Sequence, residues 1–129
     1  MDAALVIVLD RDAEGAAYEQ IAAQIRHAVA TGSLAPGDTL PGVRGLAADL
    51  GVNFNTVARA YRVLGEQGFV TIRDRSGVEV ATPAARISRD VRAALELELW
   101  GVLVRMRQAG MSTGELRQVT ADCLRRMAE

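Results

Sequence analysis

The stretch LPGVRGLAADLGVNFNTVARAYRVLGEQG, residues 40–68, decides the fold. Val43, Leu46, Ala47 and Leu50 recur at helical spacing and give a first helix one apolar face. Gly51 stops that helix, because glycine takes the left-handed conformation common just past a helix end. Val52 plugs the turn, and Asn53 can cap the next helix through its side-chain oxygen. The second helix buries Val57, Ala60, Tyr61 and Leu64, while Asn55, Arg59 and Arg62, at i, i+4 and i+7, fall on a different face. A short helix with an apolar back and amide and guanidinium groups on its front suits the major groove of DNA, where those groups match base edges.

Two strand candidates follow, residues 69–72 and 78–81, around the polar turn Arg73-Asp74-Arg75-Ser76-Gly77. A helix-turn-helix followed by a basic hairpin is a winged helix, so the expected fold is mainly α with a small β-wing. Over residues 5–81 the chain resembles the GntR family of bacterial transcription regulators. The resemblance rests on Tyr18-Glu19-Gln20-Ile21, on residues 34–41 (LAPGDTLP), on Arg44-Gly45-Leu46-Ala47, on Gly51-Val52-Asn53, and on residues 55–61 (NTVARAY). These motifs are specific in combination, whereas a lone helix-turn-helix pattern has many false matches.

The resemblance implies a DNA surface with Arg44 at the start of the first helix of the pair. Asn53, Phe54, Asn55 and Thr56 open the recognition helix, where asparagine can pair bidentately with adenine. For Asn53, helix capping and DNA contact are both expected. Phe54 departs from the subfamily pattern, and two readings stay open: contact with a thymine methyl, or packing back on the turn. Arg59 is the base or phosphate contact within the helix. Arg62 lies further from its start and is assigned to phosphate or to Glu66. Arg73, Arg75 and Gly77 form the wing, at the minor groove or backbone. Gly42 and Gly45 stand where relatives often carry serine and glutamate, so contacts from those side chains do not carry over.

Charge qualifies this reading. Fifteen arginines and no lysine oppose sixteen acidic residues, for a net charge of −1. Residues 1–41 hold two arginines against six acids, a net of −4. Residues 42–75 hold Arg44, Arg59, Arg62, Arg73 and Arg75 against Asp49, Glu66 and Asp74, a net of +2. The reading surface is therefore mildly basic within an acidic chain. Affinity per monomer should be modest, because phosphate neutralisation supplies much of DNA binding.

Around the central motif, residues 5–9 are a short β-branched run expected as a strand or an extended arm. Residues 16–31 form a helix striped by Tyr18, Ile21, Ala22, Ile25, Ala28 and Val29 and ended by Gly32. Pro36-Gly37 is a turn pair, and Pro41 begins or precedes the next helix. Thr82-Pro83 closes the winged domain, expected over residues 1–83.

Residues 84–129 are expected as a two-helix dimerisation region. Val91, Leu95, Leu99, Val102 and Met106, with Leu103 alongside, stripe a long helix that Gly110 breaks. Ser112-Thr113-Gly114-Glu115 is a capping-box pattern, and Leu116, Val119, Cys123, Leu124 and Met127 stripe the helix it opens. Two such helices cannot bury their apolar faces alone and need the winged domain or a second copy. This tail resembles the short C-terminal region of the YtrA subfamily of GntR regulators, a less specific match because helical hairpins are common.

Other chemistries find little support. Cys123 and His27 are single and far apart, so no metal site, cofactor or intrachain disulfide is expected. Trp100 is read as core or interface, and Asp90, Glu96 and Glu98 as a solvated face. No nucleophile–base pair or phosphate-cradling loop points to an enzyme, and the chain is too short for the aminotransferase-like domain of some relatives. No segment suits a signal peptide or a bilayer span, so a cytoplasmic protein is expected.

The partners expected are a double-stranded DNA operator and a second copy of the chain. The resemblance implies repression and, for YtrA-like regulators, a membrane-transporter operon as target. The competing reading is a winged-helix protein-interaction module without DNA binding, supported mainly by the net charge. An effector is left open: two short helices can hardly enclose a pocket of several hundred Å³, and a small ligand at the dimer interface stays an alternative.

Overall fold

The computed structural model describes residues 5–11, 16–73 and 77–128. The chain forms two compact units, Met1–Pro83 and Ala84–Glu129. In the first, α1 (Ala17–Thr31), α2 (Val43–Leu50) and α3 (Phe54–Glu66) pack with a three-stranded sheet of β1 (Thr39–Leu40), β2 (Val70–Arg73) and β3 (Gly77–Val80). The sheet is antiparallel with order β1-β3-β2, pairing Thr39 with Glu79 and Val70 with Val80. This is the winged helix-turn-helix expected from the motif, with one addition. The two-residue strand β1 turns the expected hairpin into a small sheet.

Each helix of the motif ends as its sequence dictates. Gly32 and Gly51 adopt positive φ, 83° and 68°, and close α1 and α2. After α2, the Val52 N–H donates to the Ala47 carbonyl at 3.1 Å, so the turn into α3 is a wound-back helix end. The turn before β1 is closed by the Asp38 N–H donating to the Ala35 carbonyl at 3.0 Å, with Gly37 at φ 90°. Its purpose is register: it delivers Leu40 into the core one residue before Pro41.

The core draws on every element of this unit. Ile21 and Ile25 of α1, Leu34, Leu40, Leu46, Val57, Ala60, Tyr61 and Leu64, and Val70, Val78 and Val80 of the sheet are buried together. Residues 5–10 are an extended arm and pair with no strand among the described residues. Two glutamines one turn apart on α1 hold the arm instead. Gln24 accepts from the Val8 N–H at 3.0 Å and donates to its carbonyl at 2.7 Å. Gln20 does the same for Asp10, at 2.8 and 2.9 Å. The arm's alternation then sends Ile7 into the core and leaves Val6 and Val8 exposed.

In the second unit, α4 (Arg89–Gln108) is capped by Ser88, whose Oγ accepts from the Val91 N–H at 3.2 Å. Helix α5 (Thr113–Arg126) opens on the expected capping box between Ser112 and Glu115. Among its described residues this unit has no buried side chain. No helix among the described residues is long and apolar enough to cross a membrane.

Candidate nucleic-acid interface

Helix α3 divides sharply by face. Val57, Ala60, Tyr61 and Leu64 are buried, and the Tyr61 hydroxyl donates to the Pro41 carbonyl at 2.5 Å. On the opposite side Phe54, Asn55, Arg59 and Arg62 are exposed, and Thr56 is half-buried. Asn53 caps the helix, its Oδ1 accepting from the Asn55 N–H at 2.8 Å. The Thr56 N–H donates to the Asn53 carbonyl at 3.0 Å, so the start of α3 is tightly closed on Asn53.

Two of the arginines lie on aromatic rings. The Arg59 guanidinium sits 3.9 Å from the centre of the Tyr18 ring. The Arg44 guanidinium sits 5.6 Å from that of Phe54. Phe54 is thus paired with the arginine at the start of α2, and 47% of its surface stays exposed. Tyr18, Asn55, Thr56 and Arg59, with Ala16 and Ala17, line a concavity of about 270 Å³ beside the recognition helix.

Arg73 ends β2, and its Nε lies 3.5 Å from Oε1 of Glu79 on the neighbouring strand. Gly77 opens β3 at φ 92°. Arg75 lies outside the described residues, as do Asp74 and Ser76.

Two residues of this surface were not legible as such. Arg11 reaches over the end of α2, its Nη2 donating to the Leu50 carbonyl at 3.0 Å and, more weakly, to that of Gly51 at 3.4 Å. A cation at the C-terminus of α2 satisfies carbonyls that the helix leaves free and complements its dipole. It also fixes the turn that aims α3. Tyr18 falls on the apolar stripe of α1, which gave no signal that its ring also faces an arginine of α3.

In the second unit, Val91, Leu95, Leu99 and Trp100 are each more than half exposed. Val102 and Leu124 are exposed as well, and Leu103, Met106, Leu116 and Val119 are half-buried. Leu103 and Leu116 line a cleft of about 330 Å³ between α4 and α5, together with Trp100, Arg107 and Arg117. Of the nine residues expected at a dimer interface, Leu103 and Leu116 thus line the cleft, and Val91, Leu95, Leu99, Val102 and Leu124 are exposed. Cys123 is exposed. Among the described residues, no cluster of His, Cys, Asp or Glu could hold a metal ion.

Comparison with known proteins fits this geometry. Residues 17–80 match the family of bacterial regulatory proteins designated gntR. An uncharacterized HTH-type transcriptional regulator of Bacillus subtilis, YhcF, is 35% identical over 77% of this chain and 82% of its own length. The B. subtilis HTH-type transcriptional repressor YtrA is 28% identical over 91% of this chain and 94% of its own. Among solved structures, the GntR-family transcription factor YtrA of Sulfolobus acidocaldarius superposes with a TM-score of 0.63 at 35% identity, covering 78% of this chain and 99% of that one. Other curated relatives are matched over a part only, the chain spanning 15% of one and 53% of another. With its winged helix, its polar recognition helix and relatives matched along most of their length, the chain belongs to the GntR family of bacterial transcription regulators.

Proposed function

We propose that this protein is a sequence-specific, DNA-binding transcription repressor that works in the cytoplasm as a homodimer. The observation that carries the reading is α3: a fully buried back and a front of Asn55, Thr56, Arg59 and Arg62, flanked by Arg44. Asparagine and arginine are the side chains that read adenine and guanine edges bidentately. Arg73, Arg75 and Gly77 supply the wing contact with the backbone, and residues 84–129 hold the second copy.

Dimerisation follows from charge and from apolar surface. With a net charge of −1, one monomer neutralises few phosphates. Two linked copies raise affinity without any new contact per copy. The exposed Val91, Leu95, Leu99, Val102 and Leu124 are the surface available for that pairing. A two-fold dimer reads an inverted repeat, with half-site spacing set by the distance between recognition helices. By analogy with YtrA-like regulators, the operator would control a transporter operon.

Selection of bound fragments from a genomic library, followed by footprinting, tests this. A near-palindrome protected as one unit is the expected result. A direct repeat would overturn the dimer geometry. No enrichment of any DNA would overturn DNA binding and favour a protein-interaction module.

A further inference from the structure

We propose that Tyr18, on α1, is a positioning residue for Arg59 and so helps set which bases the recognition helix accepts; this rests on the DNA-binding reading above. The recognition helix shows Arg59 as an exposed, long and flexible side chain. Left alone, its guanidinium would sample many rotamers, and ordering them would oppose binding. At 3.9 Å from the ring centre it lies on the aromatic face instead, within the range where the ring's negative face attracts a cation. A planar guanidinium against a planar ring is also confined in tilt, so its fork of donors leaves the ring in a limited set of directions.

The ring is itself held. Tyr18 is half-buried and packs against the core, and its hydroxyl donates to Oε1 of Glu19 at 3.2 Å. Helix α1, which carries it, is locked to the same core as α3 through Ile21 and Ile25, and Arg26 donates to Oε1 of Gln67 at 3.0 Å beyond the far end of α3. The platform therefore moves with the recognition helix. Tyr18, Asn55, Thr56 and Arg59 also share one concavity, so the ring borders the ground on which base-reading groups stand.

Positioning and simple packing predict different outcomes. Tyr18→Met keeps an apolar side chain of similar reach and removes the aromatic face, whereas Tyr18→Phe keeps the face and removes only the hydroxyl. Each is tested as full-length protein, by titration against the selected operator and against random duplex at several salt concentrations. We expect Tyr18→Met to lower the ratio of operator to random affinity about five- to tenfold, the lower part of the range for losing one base contact. Random-DNA affinity and salt slope should stay as in the wild type, because no phosphate contact is removed. Tyr18→Phe should restore most of the ratio. In an Arg59→Ala background, Tyr18→Met should add nothing.

An unchanged ratio in Tyr18→Met would overturn the proposal while leaving DNA binding intact. So would an equal further loss in the Arg59→Ala background. Tighter operator binding by Tyr18→Met would overturn it too, since the ring would then be restraining Arg59 rather than presenting it. If no operator is recovered with wild-type protein, the DNA-binding reading fails first. Should Tyr18→Met not fold, proton NMR of the free wild-type protein decides. Side-chain protons of Arg59 should be shifted upfield by the ring in wild type; absence of that shift would overturn the proposal.

Discussion

The Tyr61 hydroxyl donates to the Pro41 carbonyl at 2.5 Å, across twenty residues of sequence. The bond ties the buried back of the recognition helix to the entry of α2. It thereby fixes the angle between the two helices of the motif from inside the core. Burial pushes the phenol's pKa well above its ordinary value, so the hydroxyl stays a donor in the folded state.

Tyr61→Phe should cost about 1–2 kcal/mol, because the Pro41 carbonyl loses its partner while the ring remains. The pH dependence has a definite sign. The folded pKa is raised, so the contribution is complete below the unfolded value of about 10 and declines as pH rises above it, where only the unfolded chain loses its proton. Urea unfolding between pH 8 and 11 should show stability falling at the alkaline end, with a shallower fall in Tyr61→Phe. Equal slopes in the two proteins would assign the alkaline loss to other groups.

Asn53 combines two duties that substitution can separate. Its Oδ1 caps α3 through the Asn55 N–H, so Asn53→Ala should lower stability by about 0.5–2 kcal/mol. Asp caps as well as Asn, and its charge favours a helix N-terminus. Asn53→Asp should therefore melt at or above the wild-type temperature yet bind DNA more weakly, because a carboxylate faces phosphate. Wild-type DNA affinity in Asn53→Asp would leave Asn53 with capping alone.

What the sequence made legible was what short-range chemistry controls. The 3.6-residue period of Val57, Ala60, Tyr61 and Leu64 marked the buried back of α3, and Gly51 and Asn53 marked the turn. The capping box at Ser112 was equally local. Strand β1 was not legible, since two residues carry no period and exist as strand only through pairing with β3. The arm at residues 5–10 stayed ambiguous because its partners are side chains of α1, not another strand. Arg11 and Tyr18 escaped for the same reason. Their roles depend on groups about forty residues away, Leu50 and Arg59, which the fold brings within reach.

Dimerisation gives a third test. Leu95 and Leu99 are one turn apart on α4 and more than half exposed, whereas Met106 is half-buried. Charged residues at the exposed pair should therefore disrupt association with little harm to the helix. Leu95→Glu/Leu99→Glu is expected to sediment as a monomer, keep its helical circular dichroism and lose most operator affinity. A dimer in that variant would move the interface off this face of α4.

The wing supplies a test in which one contact can be both weakened and strengthened. Arg73 stands at the end of β2 with its Nε 3.5 Å from the Glu79 carboxylate, and both side chains are substantially exposed. An exposed pair of this kind adds little to stability, about 0–1 kcal/mol, so either partner can be altered without threatening the fold. Its effect on DNA should be larger than its effect on folding, because Glu79 offsets charge that the wing would otherwise offer to phosphate. Arg73→Ala should weaken binding to operator and random duplex alike and reduce the slope of log affinity against log salt by about 0.9. Glu79→Gln should act in the opposite direction, raising affinity for both DNAs and steepening the salt dependence. The operator-to-random ratio should stay nearly constant in both variants, since a wing on the backbone reads no bases. Titrations of the two variants on both duplexes between low and moderate salt measure all of this. A ratio that collapses in Arg73→Ala would place Arg73 on a base edge, and no change in either variant would take the wing away from DNA.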